Sequence, residues 1–246
     1  MRLYEIEDSN SDLLNRYKSA VDLAIEKYKK GIAIYRGSKK FTSEIIKFSD
    51  PASRETDRVS TNTYNYYTLW MDNDPDWAEY PKRSKSLICS TLYTTARDYG
   101  KVAVVVPLTN CKIGVCPEDD LWYSFKITHS LIRLTGWLFN HFEKKWKGED
   151  NENINYQQLI QKLENTVPDG AMYHNPMLED TLRKYNNALD MMHNEFTPSK
   201  NGFLLTTWNE FNITGVVDKE VWLSAPCLLI PFMIFSKLAR PEDATF

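Results

Sequence analysis

The chain has 246 residues, with 30 Lys+Arg against 33 Asp+Glu for a formal net charge of -3, and 42% hydrophobic and 13% aromatic residues. At roughly 150 residues per domain that length makes one large domain or two small ones, either able to bury a substantial core, so the composition excludes a disordered chain. The near-neutral balance excludes a wholesale nucleic-acid coat but not a local basic patch.

In chain order, the first ten residues carry Glu5, Glu7 and Asp8 and no apolar run, so they do not read as a secretory signal, and the expected compartment is the cytoplasm. Leu13, Leu14, Tyr17, Val21, Ala24, Ile25 and Tyr28 recur at three-to-four spacing, predicting one amphipathic helix over 9–30. Ile32-Ala33-Ile34-Tyr35 reads as a short buried strand ending at Arg36-Gly37. Residues 38–85 are polar, turn-rich and aromatic, and read as an irregular insertion with one helix near 42–48.

Residues 86–90 predict a second strand, 91–99 a helix with Leu92, Ala96 and Tyr99 on its apolar face, and 102–106 a fully buried strand. Helical periodicity then covers 121–147, 156–166 and 178–196, a helical insertion over about 118–200. Strands are predicted again at 203–208, 213–217, 220–223 and 227–235. Strands at both ends with helices between them indicate one α+β domain over 1–246, because terminal strands must pair to satisfy their backbone.

Other classes are excluded by specific residues. The most apolar stretch, 225–235, is about half the length of a spanning helix and holds Pro226 and Pro231, so no membrane association is expected. Cys89, Cys111, Cys116 and Cys227 lack CxxC spacing and read as reduced thiols. His193-Asn194-Glu195 with Pro226-Cys227 is half of a zinc deaminase signature, but Ile230 stands where the second cysteine ligand falls, so no metal is expected.

Three strand-end features carry chemistry. Arg36 ends an apolar strand, where its planar fork suits a phosphate or pyrophosphate, and Gly37 admits a close ligand; a plain surface ion pair is the alternative. Ser90 and Thr91 precede a helix whose free N-terminus faces a ligand, or else they only cap it. Asp218 and Glu220, two apart on a strand, share a face, and Glu220 opens the buried run Val221-Trp222-Leu223; Asp218-Lys219 reads equally as a hairpin turn.

Taken together, Tyr35-Arg36-Gly37, Ser90 with Ala96 and Tyr99, and Asp218-Lys219-Glu220-Val221-Trp222-Leu223 resemble the mono-ADP-ribosyltransferase family, in its arginine, serine, glutamate class typified by cholera toxin and the phage ADP-ribosyltransferases. The likeness covers about a third of the chain. Two positions depart from the pattern. The Ser-Thr-Ser element reads either Ile88-Cys89-Ser90 or Ser90-Thr91-Leu92, and the first acid of Glu-x-Glu is Asp218.

The resemblance implies a split β-sheet core with an inserted helical subdomain, and NAD as substrate without a metal. It implies scission of the nicotinamide–ribose bond through an oxocarbenium-like state. Glu220 would stabilise the developing charge and Asp218 assist the acceptor. Arg36 and Gly37 would hold the pyrophosphate, Ser90, with Thr91 beside it, would orient the nicotinamide ribose or Glu220, and Tyr93 and Tyr99 would stack on nicotinamide. The aromatic run 64–80 beside Lys82 and Arg83 reads as an acceptor surface for protein or nucleic acid, with Trp77 and Tyr80 its stacking rings; packing of those rings on the core is the alternative. An inactive interaction protein of the same fold and a pure NAD glycohydrolase complete the possibilities.

Overall fold

Ser9 opens the first helix by a reciprocal cap. Its hydroxyl accepts from Asp12 N and the Asp12 carboxylate accepts from Ser9 N. This computed structural model describes residues 9–58, 66–125, 154–167 and 182–240; the parts of the predicted helices at 126–147 and 178–181 lie outside them. The predicted helix over 9–30 is two, α1 (Asn10–Arg16) and α2 (Lys18–Lys29), because Tyr17 leaves helical geometry at φ -112°, ψ 28°.

Among the described residues eight antiparallel strands form one sheet: β1 (Tyr35–Ser38), β2 (Lys47–Ser49), β3 (Leu87–Ser90), β4 (Lys101–Pro107), β5 (Lys112–Val115), β6 (Leu204–Thr207), β7 (Glu220–Leu223) and β8 (Cys227–Pro231). Their order is β2-β8-β4-β1-β3-β7-β5-β6. The sheet therefore mixes local and distant segments, and its centre is made by strands from opposite ends of the chain.

The helices are α3 (Tyr66–Asn73), α4 (Tyr93–Asp98), α5 (Leu121–Ser124), α6 (Tyr156–Glu164), α7 (Ala188–Glu195), α8 (Pro198–Asn201) and α9 (Phe232–Ala239), with 3-10 turns at Pro75–Trp77 and Arg83–Lys85. None among the described residues is long and apolar enough to cross a membrane.

Several expectations are corrected. β1 begins at Tyr35, so Ile32-Ala33-Ile34 is buried chain leading into the strand. The helix expected at 42–48 is replaced by β2, which pairs Lys47–Ser49 with β8 and covers an otherwise open edge. No strand forms at 213–217, whose polar groups are met one by one: Gly215 N donates to Gly31 O at 2.9 Å, and Val217 O accepts from the Thr91 hydroxyl at 2.7 Å. The apolar run 227–235 splits at Pro231, which has no N–H to continue the strand ladder and sits at the N-cap of α9. β5 had no signal in the sequence beyond Ile113 and Val115.

Along β3 and β7 successive side chains enter different cores. Leu87, Cys89, Val221 and Leu223 join an aliphatic cluster with Ile34, Val105, Leu228, Ile230 and Phe235. Ile88 and Trp222 join an aromatic cluster with Tyr66, Tyr67, Trp70, Trp77, Phe125 and Phe196. A Cβ on Gly114 would lie 2.2 Å from the Trp222 ring, so only glycine lets β5 pass over that indole. The two predicted insertions pack together: Trp70 meets Tyr156 with centroids 6.3 Å apart, and Trp77 Nε1 donates to Phe196 O at 2.8 Å.

Candidate functional site

Strand pairing aligns the three sequence features. Tyr35 of β1 stands opposite Ser90 of β3, and Ser90 stands opposite Glu220 of β7, so Arg36, Ser90 and Glu220 come from three adjacent strands. All three line one cleft of about 500 Å³, a size ordinary for a small-molecule site.

Glu220 is the most constrained. Its side chain is 13% exposed, and Oε1 accepts from Arg83 Nη2 at 2.7 Å and from the Cys116 thiol at 3.6 Å. Burial and the Glu220 charge push the Cys116 thiol well above the ordinary thiol range, so it stays protonated and donates. Arg36 is half-buried, and its Nη1 donates to Ile88 O on the neighbouring strand. Asp218 is tied by two hydroxyls: Ser90 Oγ donates to Oδ1 at 2.8 Å and Thr95 Oγ1 donates to Oδ2. Ser90 thus holds Asp218, not Glu220.

Several candidate residues are elsewhere. Thr91 is fully buried off the cleft; its hydroxyl donates to Val217 O and accepts from Lys219 N at 2.9 Å, pinning the 217–219 loop. Gly37 lines the cleft, but its glycine is explained by α4: a Cβ there would lie 1.7 Å from Ala96 O. Tyr93 packs on Phe232 with centroids 4.5 Å apart and faces a second hollow of about 310 Å³. Tyr99 does reach the cleft rim and is 62% exposed.

At its described residues the aromatic and basic run expected as an acceptor surface is largely buried and offers no open stacking surface; Tyr64 lies outside them. Trp77 is 1% exposed in the aromatic core, and Tyr80 stacks on Trp222 at 5.9 Å while its hydroxyl donates to Phe203 O. Arg83 is 5% exposed and paired with Glu220; of the four residues only Lys82 is exposed. Aromatic faces are worth more in a core than in water, so Tyr66, Tyr67, Trp70 and Trp77 went inside and took the arginine with them.

Sequence reasoning missed Arg58, Thr95 and the segment Asp119–Tyr123, all lining the cleft. Arg58 carried no signal. Arg83 carried one: a cation four residues before a wholly buried strand. The turn holding Arg83 is fixed from below, where the Asp72 carboxylate accepts from Arg83 N at 2.5 Å and Ser84 N at 3.1 Å. Burial raises the Asp72 carboxyl above the ordinary range despite those bonds. Among the described residues no group of His, Cys, Asp and Glu could hold a metal ion. No protein-family model, curated protein or solved structure matches the chain.

Proposed function

We propose that the protein is an NAD-dependent mono-ADP-ribosyltransferase that breaks the nicotinamide–ribose bond and passes ADP-ribose to a macromolecular acceptor, protein or nucleic acid. One observation carries the reading: Arg36, Ser90 and Glu220, distant in sequence, lie on three neighbouring strands around one cleft. A ligand in that cleft meets the guanidinium groups of Arg36, Arg58 and Arg83 together with Asp119 and Asp120, Trp122, Tyr123 and the exposed Tyr99. NAD has the matching polarity, with an anionic pyrophosphate and a cationic aromatic ring.

In this reading Glu220 Oε1 is held by Arg83 and Cys116, leaving Oε2 to accept from a hydroxyl of the nicotinamide ribose. As the C–N bond lengthens its electron pair leaves with nicotinamide, positive charge grows on the ribose, and the fixed carboxylate stabilises it more than the ground state. Tyr99 offers a ring face to nicotinamide. Both Asp218 oxygens already accept hydroxyl protons, so its part is to hold Ser90 and Thr95 at the rim.

A second reading, binding of NAD without turnover, is favoured by the Arg83–Glu220 pair, which offsets the carboxylate charge a transition state would use. The experiment is nicotinamide release from NAD by the purified chain with a whole-cell lysate as acceptor source. Glu220→Gln should lower the rate by on the order of 10²–10³, compared at equal folded fraction because the change also removes the charge facing Arg83. Wild-type turnover by the variant removes Glu220 from the chemistry. Absence of release by the wild type favours the binding reading.

A further inference from the structure

We propose that Arg58 and Arg83 form an anion subsite in the cleft, built for the pyrophosphate of a nucleoside diphosphate. Naming NAD as its bearer rests on the function proposed above; the subsite itself does not.

Arg83 presents the first half. Nη2 is spent on Glu220, but Nη1, with no exposed surface, has no hydrogen-bond partner among the described residues. A charged donor buried at a cleft wall is matched by an oxygen from a ligand, because leaving it unpaired forfeits its hydration with nothing in return. The guanidinium cannot turn away easily, since it lies over the Trp222 ring at 5.6 Å and its backbone is clamped by Asp72.

Arg58 presents the second half. It lines the same cleft, and its own N–H donates to Ser84 O at 2.9 Å, so its backbone is bonded to the residue after Arg83. Lys85 straps the two segments again, through Asp57 at 2.8 Å and Arg54 O at 2.7 Å. Among the described residues no carboxylate pairs with the Arg58 side chain. The charges that reach it are three cations, Arg83, Arg36 and Arg54, against one anion, Glu220. Burial first, then Arg83 and Arg36, pull its pKa down to about 10.

Arg36 was the expected anion holder, yet its Nη1 is already occupied by Ile88 O. Two guanidinium groups on one frame, Arg58 with its fork and Arg83 with its remaining Nη1, suit a ligand with two linked anionic centres better than a lone carboxylate. A single-stranded nucleic acid offers phosphates too, but as single charges spaced along a chain.

The test is calorimetric titration of the full chain with ADP-ribose, inorganic pyrophosphate, adenosine and a labelled single-stranded oligonucleotide. The wild type should bind ADP-ribose and pyrophosphate, more weakly as salt rises, and adenosine poorly. Arg58→Gln, a half-buried loop position, should weaken ADP-ribose about tenfold or more with its melting temperature unchanged. Arg83→Lys, which keeps the charge but loses the fork, should do the same. Arg58→Gln alone decides if the buried variant does not fold.

Equal affinity of wild type and Arg58→Gln for ADP-ribose overturns the subsite, as does no binding of either diphosphate by the wild type. A loss confined to the oligonucleotide also overturns it, assigning the arginines to nucleic acid. Nicotinamide release separates the two proposals. Arg58-dependent ADP-ribose binding without release keeps the subsite and removes the enzyme. Release with a KM for NAD unchanged in Arg58→Gln keeps the enzyme and removes the subsite.

Discussion

The two cores of this protein are made of different material. The cluster around Val105, Leu228 and Ile230 is mostly aliphatic, and its side chains ask nothing of the loops but volume. The cluster around Trp77, Phe125 and Trp222 is aromatic, and its polar tips need acceptors. Trp77 Nε1 finds Phe196 O, Tyr80 Oη finds Phe203 O and Trp222 Nε1 finds Pro81 O at 2.9 Å. Two residues after Pro81 stands Arg83. Through Trp222 and Pro81 the aromatic core is therefore tied to the turn that carries Arg83.

Substitutions can break or sharpen that contrast. Trp222→Ala should be the costliest, about 3–5 kcal/mol by denaturant titration, and should also weaken ADP-ribose binding, because it removes the ring under Arg83 and the donor to Pro81. Leu228→Ala, equally buried on the other side, should cost about 2–5 kcal/mol and leave ADP-ribose affinity unchanged in the folded protein. If both lower affinity alike, the two cores are not separable and the contrast fails.

Asp72→Ala should cost about 1–3 kcal/mol, since it strands the N–H groups of Arg83 and Ser84. Burial raises the Asp72 carboxyl, so its protonated form is the one the fold favours. Its contribution is fully present below the ordinary carboxylate value and is lost as pH rises through the raised one. The measured cost of Asp72→Ala should accordingly be greatest in acid and shrink toward neutral pH. A cost that grows with pH would mean that the ionised carboxylate is the stabilising form.

The smallest effect on stability belongs to Tyr99→Ala at the cleft rim. Its ring is largely exposed, so stability should stay within about 0.5 kcal/mol of wild type, while affinity for NAD falls. An unchanged affinity would leave Tyr99 an ordinary surface residue.

Periodicity and punctuation were legible over much of the chain. The buried runs at 87–90, 102–106 and 221–223 and the helix at 156–164 follow from local patterns that need no partner to be recognised, whereas the helix expected over 178–196 is broken at 183–187 and forms at 188–195, and that expected over 121–147 leaves helical geometry at Phe125. The run at 227–235 is legible as apolar, but its change from strand to helix comes at Pro231, where the strand ladder loses its N–H. The helix expected at 42–48 failed because β2 exists only to pair with β8, a segment some 180 residues away.

What the amino-acid sequence determined by itself was where apolar surface lies along each segment and which polar residues stand on or beside strands: Arg36, Ser90, Asp218 and Glu220. What only the tertiary structure decided was which polar group meets which. Ser90 holds Asp218, Arg83 holds Glu220, Thr91 and Tyr93 leave the cleft, and Arg58 enters it. The reason is physical: hydrophobic spacing is a property of neighbours within one segment, whereas a polar partnership depends on the register between segments more than a hundred residues apart, and packing alone sets that register.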